Sequence, residues 1–141
     1  MAEDGVVSKY QLLIIGGSAG SLKVLVGVLP LLKSMLNIAL VIVLHRKNAN
    51  EELLAEVLSA KTTLRVKEAE EKEEIVPGVI YLAPADYHLF IEKDHTFSLD
   101  ASEKVNFSRP SIDVTIESAA YIYGEKLVCL LLSGANTDGV A

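Results

Sequence analysis

Three residues of this sequence carry the side chains of a nucleophile, a general base and an orienting acid. Ser18, His45 and Asp138 follow the first, second and last of four long apolar runs. A serine hydroxyl becomes nucleophilic when a neighbouring imidazole takes its proton and a carboxylate holds that imidazole in the productive orientation. Side chains that follow parallel strands meet at one edge of a sheet, where a ligand crevice forms. The spacing therefore predicts a hydrolytic triad if these runs are strands of one sheet.

Ser18 lies in the stretch LLIIGGSAGSL, within the pattern Gly16-x-Ser18-x-Gly20. Small residues on both sides let a strand turn sharply into a helix, which exposes the hydroxyl near the positive end of the helix dipole. Two other roles remain open for this turn. Ser18 could only cap the helix, or the glycines could cradle a dinucleotide. The pattern G-x-G-x-x-G is not met, however, because Ser18 takes the place of the second glycine.

His45 and Asp138 each have a catalytic and a structural interpretation. As the partner of Ser18, His45 would be the general base. Asp138 would orient His45 and stabilise its imidazolium. The backbone N–H groups of Ala135 and Asn136 are candidate donors of an oxyanion hole. In the structural interpretation, His45 only ends a strand and Asp138 only caps a helix.

The four apolar runs are continuous rather than alternating, which indicates strands that are buried on both faces of a parallel sheet. They are Leu12–Ile15, Ile38–Leu44, Val79–Ala83 and Leu127–Leu132. Helical spacing of apolar residues predicts helices over residues 20–36, 49–60 and 110–123, with Pro110 in the first turn of the last one. We therefore expect a doubly wound α/β fold, in which helices flank a mostly parallel sheet in a Rossmann-like three-layer sandwich.

Four further features lie around these elements. Leu89–Ile91 and Thr96–Leu99 predict a hairpin on the edge of the sheet. His88 follows the third run and could line the crevice. The charged segment Lys67–Glu74 is typical of a solvated face. Cys129 lies inside an apolar run, and as the single cysteine it predicts a buried thiol without a disulfide or a cysteine metal site.

Composition narrows the class of protein. With 141 residues, half of them apolar, the chain can form one domain with its own core. The net charge is −6 and the basic residues are scattered, which argues against binding to nucleic acid. The N-terminus is acidic and polar, unlike a signal peptide, and no apolar run approaches the length of a membrane span. We expect a cytoplasmic protein with no membrane insertion.

Five ordered motifs resemble the catalytic domain of CheB-type chemotaxis protein-glutamate methylesterases. They are IIGGSAG, the Leu-His pair after the second strand, VIYLAPADYH, SRPSIDV and LLSGANTDG. The resemblance covers nearly the whole chain from Gln11 onwards. It implies that Ser18 is the nucleophile, His45 the base and Asp138 the orienting acid, and that Arg109 lies at the crevice rim where substrate docks.

The resemblance also implies an activity. Enzymes of this family hydrolyse glutamate methyl esters on the cytoplasmic domains of chemoreceptors, and many also deamidate glutamines there. This chemistry needs no metal and no cofactor. The expected partner is a methylated chemoreceptor cytoplasmic domain or a related protein substrate. Two alternatives remain: a catalytically degenerate module that only binds receptors, and a dinucleotide-binding domain.

The sequence departs from the family pattern at several points. Ser18-Ala19-Gly20-Ser21 replaces the usual Ser-Thr-Gly-Gly, and Gly134-Ala135-Asn136-Thr137-Asp138-Gly139 replaces Gly-Met-Gly-x-Asp-Gly. The receiver domain that family members usually carry has no counterpart in this sequence. The family domain also continues beyond the Asp-Gly pair. We therefore expect residues 1–141 to form a single catalytic domain that lacks its C-terminal part.

Overall fold

The computed structural model describes residues 10–32, 37–45, 51–103 and 109–132. Within them, five parallel strands form one sheet in the spatial order β3-β4-β2-β1-β7. Their bounds are β1 Leu12–Gly17, β2 Ala39–Leu44, β3 Arg65–Glu68, β4 Val79–Leu82 and β7 Leu127–Leu131. The parallel sheet confirms the predicted fold class.

Three α-helices and a hairpin cover the two faces of this sheet. The helices are α1 Leu22–Val28, α2 Glu51–Ser59 and α3 Ile112–Tyr123, and the hairpin strands are β5 His88–Ile91 and β6 Phe97–Asp100. Alternate residues of β1 separate into two cores, with Leu13 and Ile15 packed beside α1 and α2 residues, and Leu12 and Ile14 beside those of α3 and the hairpin. Because successive side chains of a strand point to opposite faces, the chain forms three layers.

The helices are shorter than the sequence predicts. α1 is flanked by 3-10 turns at Ala19–Ser21 and Leu29–Leu32, and Pro30 lies in the second of these. Proline lacks the N–H group that a continuing α-helix needs. α3 begins at Ile112 with Ser111 as its N-cap, so Pro110 precedes the cap instead of lying in the first helical turn.

The hairpin prediction is correct in its strands and wrong in its place. β5 and β6 pair with each other antiparallel and form a separate two-stranded sheet. An isolated bridge between Glu74 and Thr96 joins the hairpin to the charged segment. The Lys72 N–H group donates to the Phe97 carbonyl (2.8 Å), and the Phe97 N–H group donates to the Glu73 carbonyl (2.9 Å). The charged segment is therefore a structural partner of the hairpin as well as a solvated face.

The two ends of the sheet also differ from the prediction. β3 pairs with β4 from Arg65 to Glu68, although its sequence contains no apolar run that would predict a strand. At the other end, β7 has only β1 as a neighbour within the described residues, and most of its side chains are exposed. The prediction of a strand buried on both faces is thus wrong for β7. The prediction of a buried thiol is also wrong, because Cys129 is exposed.

Candidate functional site

Ser18 is the first residue after β1, at the carboxyl edge of the sheet. Its carbonyl accepts a hydrogen bond from the Ser21 N–H group (2.9 Å), which closes the 3-10 turn that leads into α1. The Ser18 side chain is half-buried. The chain thus turns from strand to helix at Ser18, as the small residues predict.

Gly16 and Gly17 let two other side chains approach this turn. A Cβ atom on Gly16 would lie 2.8 Å from Cγ2 of Ile112, and one on Gly17 would lie 2.7 Å from Oγ of Ser21. Both distances are shorter than real Cβ contacts allow. Ile112 and Ser21 thus shape the loop, and the paired glycines are the only sign in the sequence that other side chains pack closely there.

Gly20 has a different effect on the site. A Cβ atom at this position would lie 3.7 Å from Oγ of Ser18, which is ordinary van der Waals contact. A larger side chain would fit the backbone and would lie against the serine hydroxyl. Glycine therefore adds no side-chain atom beside the hydroxyl.

His45 lies beside this turn because of the strand register. β1 and β2 are paired from Leu12–Ala39 to Gly17–Leu44, and His45 is the next residue after Leu44. The His45 N–H group donates to the Gly17 carbonyl (3.0 Å), which extends the ladder by one step. Ser18 and His45 thus leave neighbouring strands at the same level of the same edge, and the His45 side chain is half-buried.

The chain that leads to Asp138 leaves the sheet on the other side of β1. Leu131 pairs with Gly16, and the Leu132 N–H group donates to the Gly16 carbonyl (2.9 Å). Asp138, Ala135 and Asn136 lie outside the described residues. The described part of the chain therefore ends at the carboxyl edge that carries Ser18 and His45.

Arg109 is bound to its own surroundings through several hydrogen bonds. Its Nη1 donates to the carbonyls of Ala101 (3.1 Å) and Ser102 (3.0 Å). The Arg109 carbonyl accepts a bond from the Asp86 N–H group (3.2 Å), and the Arg109–Pro110 peptide is cis. Arg109 is half-buried. Its side chain is bonded to the segment that follows β6, and its carbonyl to the turn that follows β4.

His88 does not line an open crevice as the sequence analysis expected. Its side chain is 1% exposed. Nε2 lies 2.7 Å from the Glu103 carbonyl oxygen, and Nδ1 accepts a hydrogen bond from the Ser111 N–H group at 3.3 Å. Both ring nitrogens thus bind main chain, so the imidazole supports the surrounding segments and does not present a polar group to a substrate.

The rest of the described surface adds no second candidate of comparable chemistry. A wide concavity of about 720 Å³ is lined by residues of the charged segment and the hairpin, among them Glu71, Glu92 and Phe97, and it includes neither Ser18 nor His45. Across residues 10–32, 37–45, 51–103 and 109–132, no three His, Cys, Asp or Glu side chains are grouped so that they could hold a metal ion. None of the helices in these ranges is both long and apolar enough to cross a membrane.

Comparisons with known proteins identify the family of this chain. The family model described as CheB methylesterase matches residues 13–141. A relative from Leptospira interrogans, provisionally named a protein-glutamate methylesterase/protein-glutamine glutaminase, is 46% identical over 130 residues, which are 92% of this chain and 67% of the relative. The protein of that name from Thermotoga maritima is 36% identical over 132 residues, but this chain spans only 38% of it.

A solved structure resembles the fold over the same range. The crystal structure of the Thermotoga maritima CheB methylesterase catalytic domain superimposes with a TM-score of 0.86 at 36% sequence identity. The match covers 92% of this chain and 70% of that one. The similarity thus extends over nearly all of this chain.

Proposed function

Because this chain belongs to the CheB methylesterase family, we propose that it is a serine carboxylesterase that hydrolyses glutamate methyl esters on proteins. The observation that carries the proposal is the hydrogen bond from the His45 N–H group to the Gly17 carbonyl, which sets His45 beside the turn that begins at Ser18. A nucleophile and a base on neighbouring strand ends are the minimum that acyl transfer requires. Gly20 is compatible with the same assignment, because it adds no side chain beside the Ser18 hydroxyl.

In the proposed mechanism, Oγ of Ser18 attacks the ester carbonyl carbon while His45 takes the hydroxyl proton. The tetrahedral intermediate collapses, the C–O bond to the methoxy group breaks, and His45 returns the proton so that methanol leaves. A water molecule, deprotonated by His45, then attacks the acyl-enzyme. Collapse of the second intermediate releases the glutamate carboxylate and restores Ser18.

Asp138, Ala135 and Asn136 complete the proposed machinery. Asp138 would accept a hydrogen bond from the His45 imidazole, and the N–H groups of Ala135 and Asn136 would bind the developing oxyanion. The support is topological: β7 adjoins β1 on the side opposite β2, and the chain leaves β7 at Leu132, next to Gly16. Residues that follow Leu132 therefore start from the correct edge of the sheet.

The proposed substrate is the methylated cytoplasmic domain of a chemoreceptor, or a related protein, met in the cytoplasm. Relatives from several organisms are named as both methylesterases and protein-glutamine glutaminases. The same residues can catalyse deamidation, in which ammonia instead of methanol leaves the tetrahedral intermediate. Arg109, tied to the turn after β4, is the proposed docking residue at the rim.

Replacement of the nucleophile tests the proposal directly. We expect Ser18→Ala to abolish methanol release from methylated receptor domains and to prevent labelling by a fluorophosphonate, because both reactions need the serine oxygen. The melting temperature should stay near that of the wild type, since a small half-buried side chain becomes smaller. Ser59→Ala, at the exposed end of α2, is the matched control and should keep full activity.

Two outcomes would contradict the esterase assignment. Methanol release by Ser18→Ala at the wild-type rate would exclude Ser18 as the nucleophile. A wild-type chain that binds the receptor domain but neither releases methanol nor reacts with the fluorophosphonate would be the degenerate binding module instead.

A further inference from the structure

His88 is a buried histidine whose two ring nitrogens both contact the main chain. The side chain is 1% exposed and lies at the start of β5, among Leu89, Ser111 and other buried residues. It bonds to two points of the main chain, Glu103 and Ser111, which lie on either side of residues 104–108. One imidazole thus connects the segment after β6 with the start of α3.

The two bonds fix the tautomer of this ring. The Ser111 N–H group can only donate, so Nδ1 must accept and carries no hydrogen. The Glu103 carbonyl can only accept, so Nε2 carries the hydrogen and donates it. A neutral imidazole with its proton on Nε2 satisfies both partners. Because the two bonds involve different ring nitrogens, different substitutions of His88 can remove them separately.

The Ser111 bond supports the turn that carries Ser18. Ser111 is fully buried and caps α3, and the next residue, Ile112, is 2% exposed. Ile112 packs so closely against Gly16 that a Cβ atom there would lie 2.8 Å from Cγ2 of Ile112. A shift of Ser111 would therefore displace Ile112 and, with it, the end of β1 two residues before Ser18.

The Glu103 bond supports the residue that we propose as the docking site. Glu103 directly follows Ala101 and Ser102, whose carbonyls accept hydrogen bonds from Nη1 of Arg109. These carbonyls are held in place on one side by β6, which ends at Asp100. The bond from Nε2 of His88 to the Glu103 carbonyl holds them on the other side.

We propose that His88 is a positioning residue that supports the two halves of the active site through separate bonds. Nδ1 keeps the nucleophile turn in its reactive geometry through Ser111 and Ile112. Nε2 keeps Arg109 in its docking geometry through the segment 101–103. The inference rests on the proposed function, since it assigns the effects of the two bonds to turnover and to substrate binding.

Two amide side chains can separate these roles. His88→Asn places Oδ1 where Nδ1 stood, which keeps the acceptor for the Ser111 N–H group and loses the donor to Glu103. His88→Gln places its terminal NH₂ group near the position of Nε2, which keeps the donor and loses the acceptor. Loss of one buried hydrogen bond corresponds to a change of about tenfold. We expect His88→Asn to raise KM by about that factor with kcat within about twofold of wild type, and His88→Gln to lower kcat by about that factor with KM nearly unchanged.

Hydrogen exchange provides a measurement that does not need esterase activity. The Ser111 amide should exchange slowly in the wild type and in His88→Asn, and about tenfold or more faster in His88→Gln. Equal exchange in the two variants, or equal effects of both on kcat and on KM, would overturn the assignment. If the wild type proves inactive, the proposed function fails by itself, and the exchange experiment still decides whether His88 holds Ser111 in this way.

Discussion

At the scale of single residues, the nucleophile turn depends on the absence of side chains as much as on Ser18. Gly16 faces Ile112, Gly17 faces Ser21, and Gly20 faces the serine hydroxyl itself. Gly16 and Gly17 leave room for these two side chains to pack against the turn. Gly20 adds no side chain beside the Ser18 hydroxyl. The pattern G-x-S-x-G alone therefore cannot distinguish a catalytic turn from a helix cap. Both kinds of turn need glycines where other side chains pack closely, and only a catalytic turn needs space beside the serine hydroxyl.

The packing role of Gly16 leads to a stability prediction. Gly16→Ala should destabilise the protein by ~1–3 kcal/mol, because the new methyl group would overlap with the buried Ile112 side chain. Gly27→Ala is the matched control: it lies in α1 with no neighbouring atom within 4 Å of the new Cβ, so it should stabilise by ~0.5–1 kcal/mol. Urea denaturation of the two variants measures both effects. Similar stabilities for both would show that Ile112 does not restrict Gly16.

The sequence predicted that Ser18 and His45 lie at one edge of the sheet. His45 directly follows an apolar run, Ser18 follows another after two glycines, and the parallel sheet brings the ends of these strands together. It could not identify the partners of Gly16 or the role of His88. Ile112 and Ser111 are distant in sequence from both, and only the packing of α3 on the sheet brings them close. Local pattern therefore predicted where Ser18 and His45 lie in the sheet, but not which residues pack around them.

At the scale of elements, α3 carries support from the hairpin to the catalytic edge. The Thr115 hydroxyl donates to the Leu89 carbonyl of β5 (2.8 Å), and the Ile91 N–H group of β5 donates to the Ser118 hydroxyl (3.0 Å). At its start, Ser111 accepts a hydrogen bond from the Val114 N–H group (3.4 Å). The helix is thus fixed to the hairpin along its length and capped at the end that meets β1.

The cap of α3 can be tested by two substitutions. Ser111→Ala should cost ~1 kcal/mol of stability, because the Val114 N–H group loses its side-chain acceptor. Ser111→Gly should cost only a few tenths of a kcal/mol, about what glycine costs at other N-cap positions. Thermal unfolding of both variants gives the comparison. An alanine variant more stable than the glycine variant would contradict the capping role of Ser111.

At the scale of elements, β3 is a strand that the sequence pattern did not predict. Three of its four residues are charged and none is fully buried, so no apolar run marks the strand. The strand exists because it pairs with β4, from Arg65–Val79 to Glu68–Leu82. Lys67 on this strand binds Glu73 and Glu70, which fixes the charged segment beside the hairpin. Pairing with a distant strand outweighs the weak local preference, and such pairing is not visible in the local sequence.

At the scale of the whole molecule, several groups make the fold sensitive to alkaline pH in the same direction. Burial raises the pKa of the Tyr81 hydroxyl and also that of Tyr123. The hydrogen bond to Glu73 raises the pKa of the Lys67 ammonium group. A group whose pKa is higher in the folded state stabilises the fold at pH values below its unfolded pKa, and this contribution is lost as the pH rises through its folded pKa. Stability should therefore fall above about pH 10.

Tyr81→Phe separates one contribution from the rest. Its hydroxyl accepts a bond from the Val76 N–H group (3.0 Å) and donates to the Glu74 carbonyl (3.1 Å). At neutral pH the variant should lose ~1–2 kcal/mol, because these bonds disappear. Between about pH 9 and 11 it should lose less further stability than the wild type, since it has one fewer hydroxyl to ionise. Tyr121→Phe, with a side chain that is 81% exposed, is the control, and an identical alkaline loss in the wild type and Tyr81→Phe would contradict the assignment.

The pairing of β1 with both β2 and β7 also constrains the order in which the protein can fold. Leu12 pairs with Ala39 of β2 on one side and with Leu127 of β7 on the other. On the ribosome, β7 is therefore synthesised long after β2. Contacts of such high sequence separation close slowly, because the entropy of a long loop must be lost before the pairing stabilises it. A nascent chain can thus bring Ser18 beside His45 early, but one edge of β1 keeps its backbone N–H and C=O groups unpaired with a strand until β7 arrives. We therefore expect the esterase site to be among the last parts of the molecule to mature, after the surrounding α/β layers have formed.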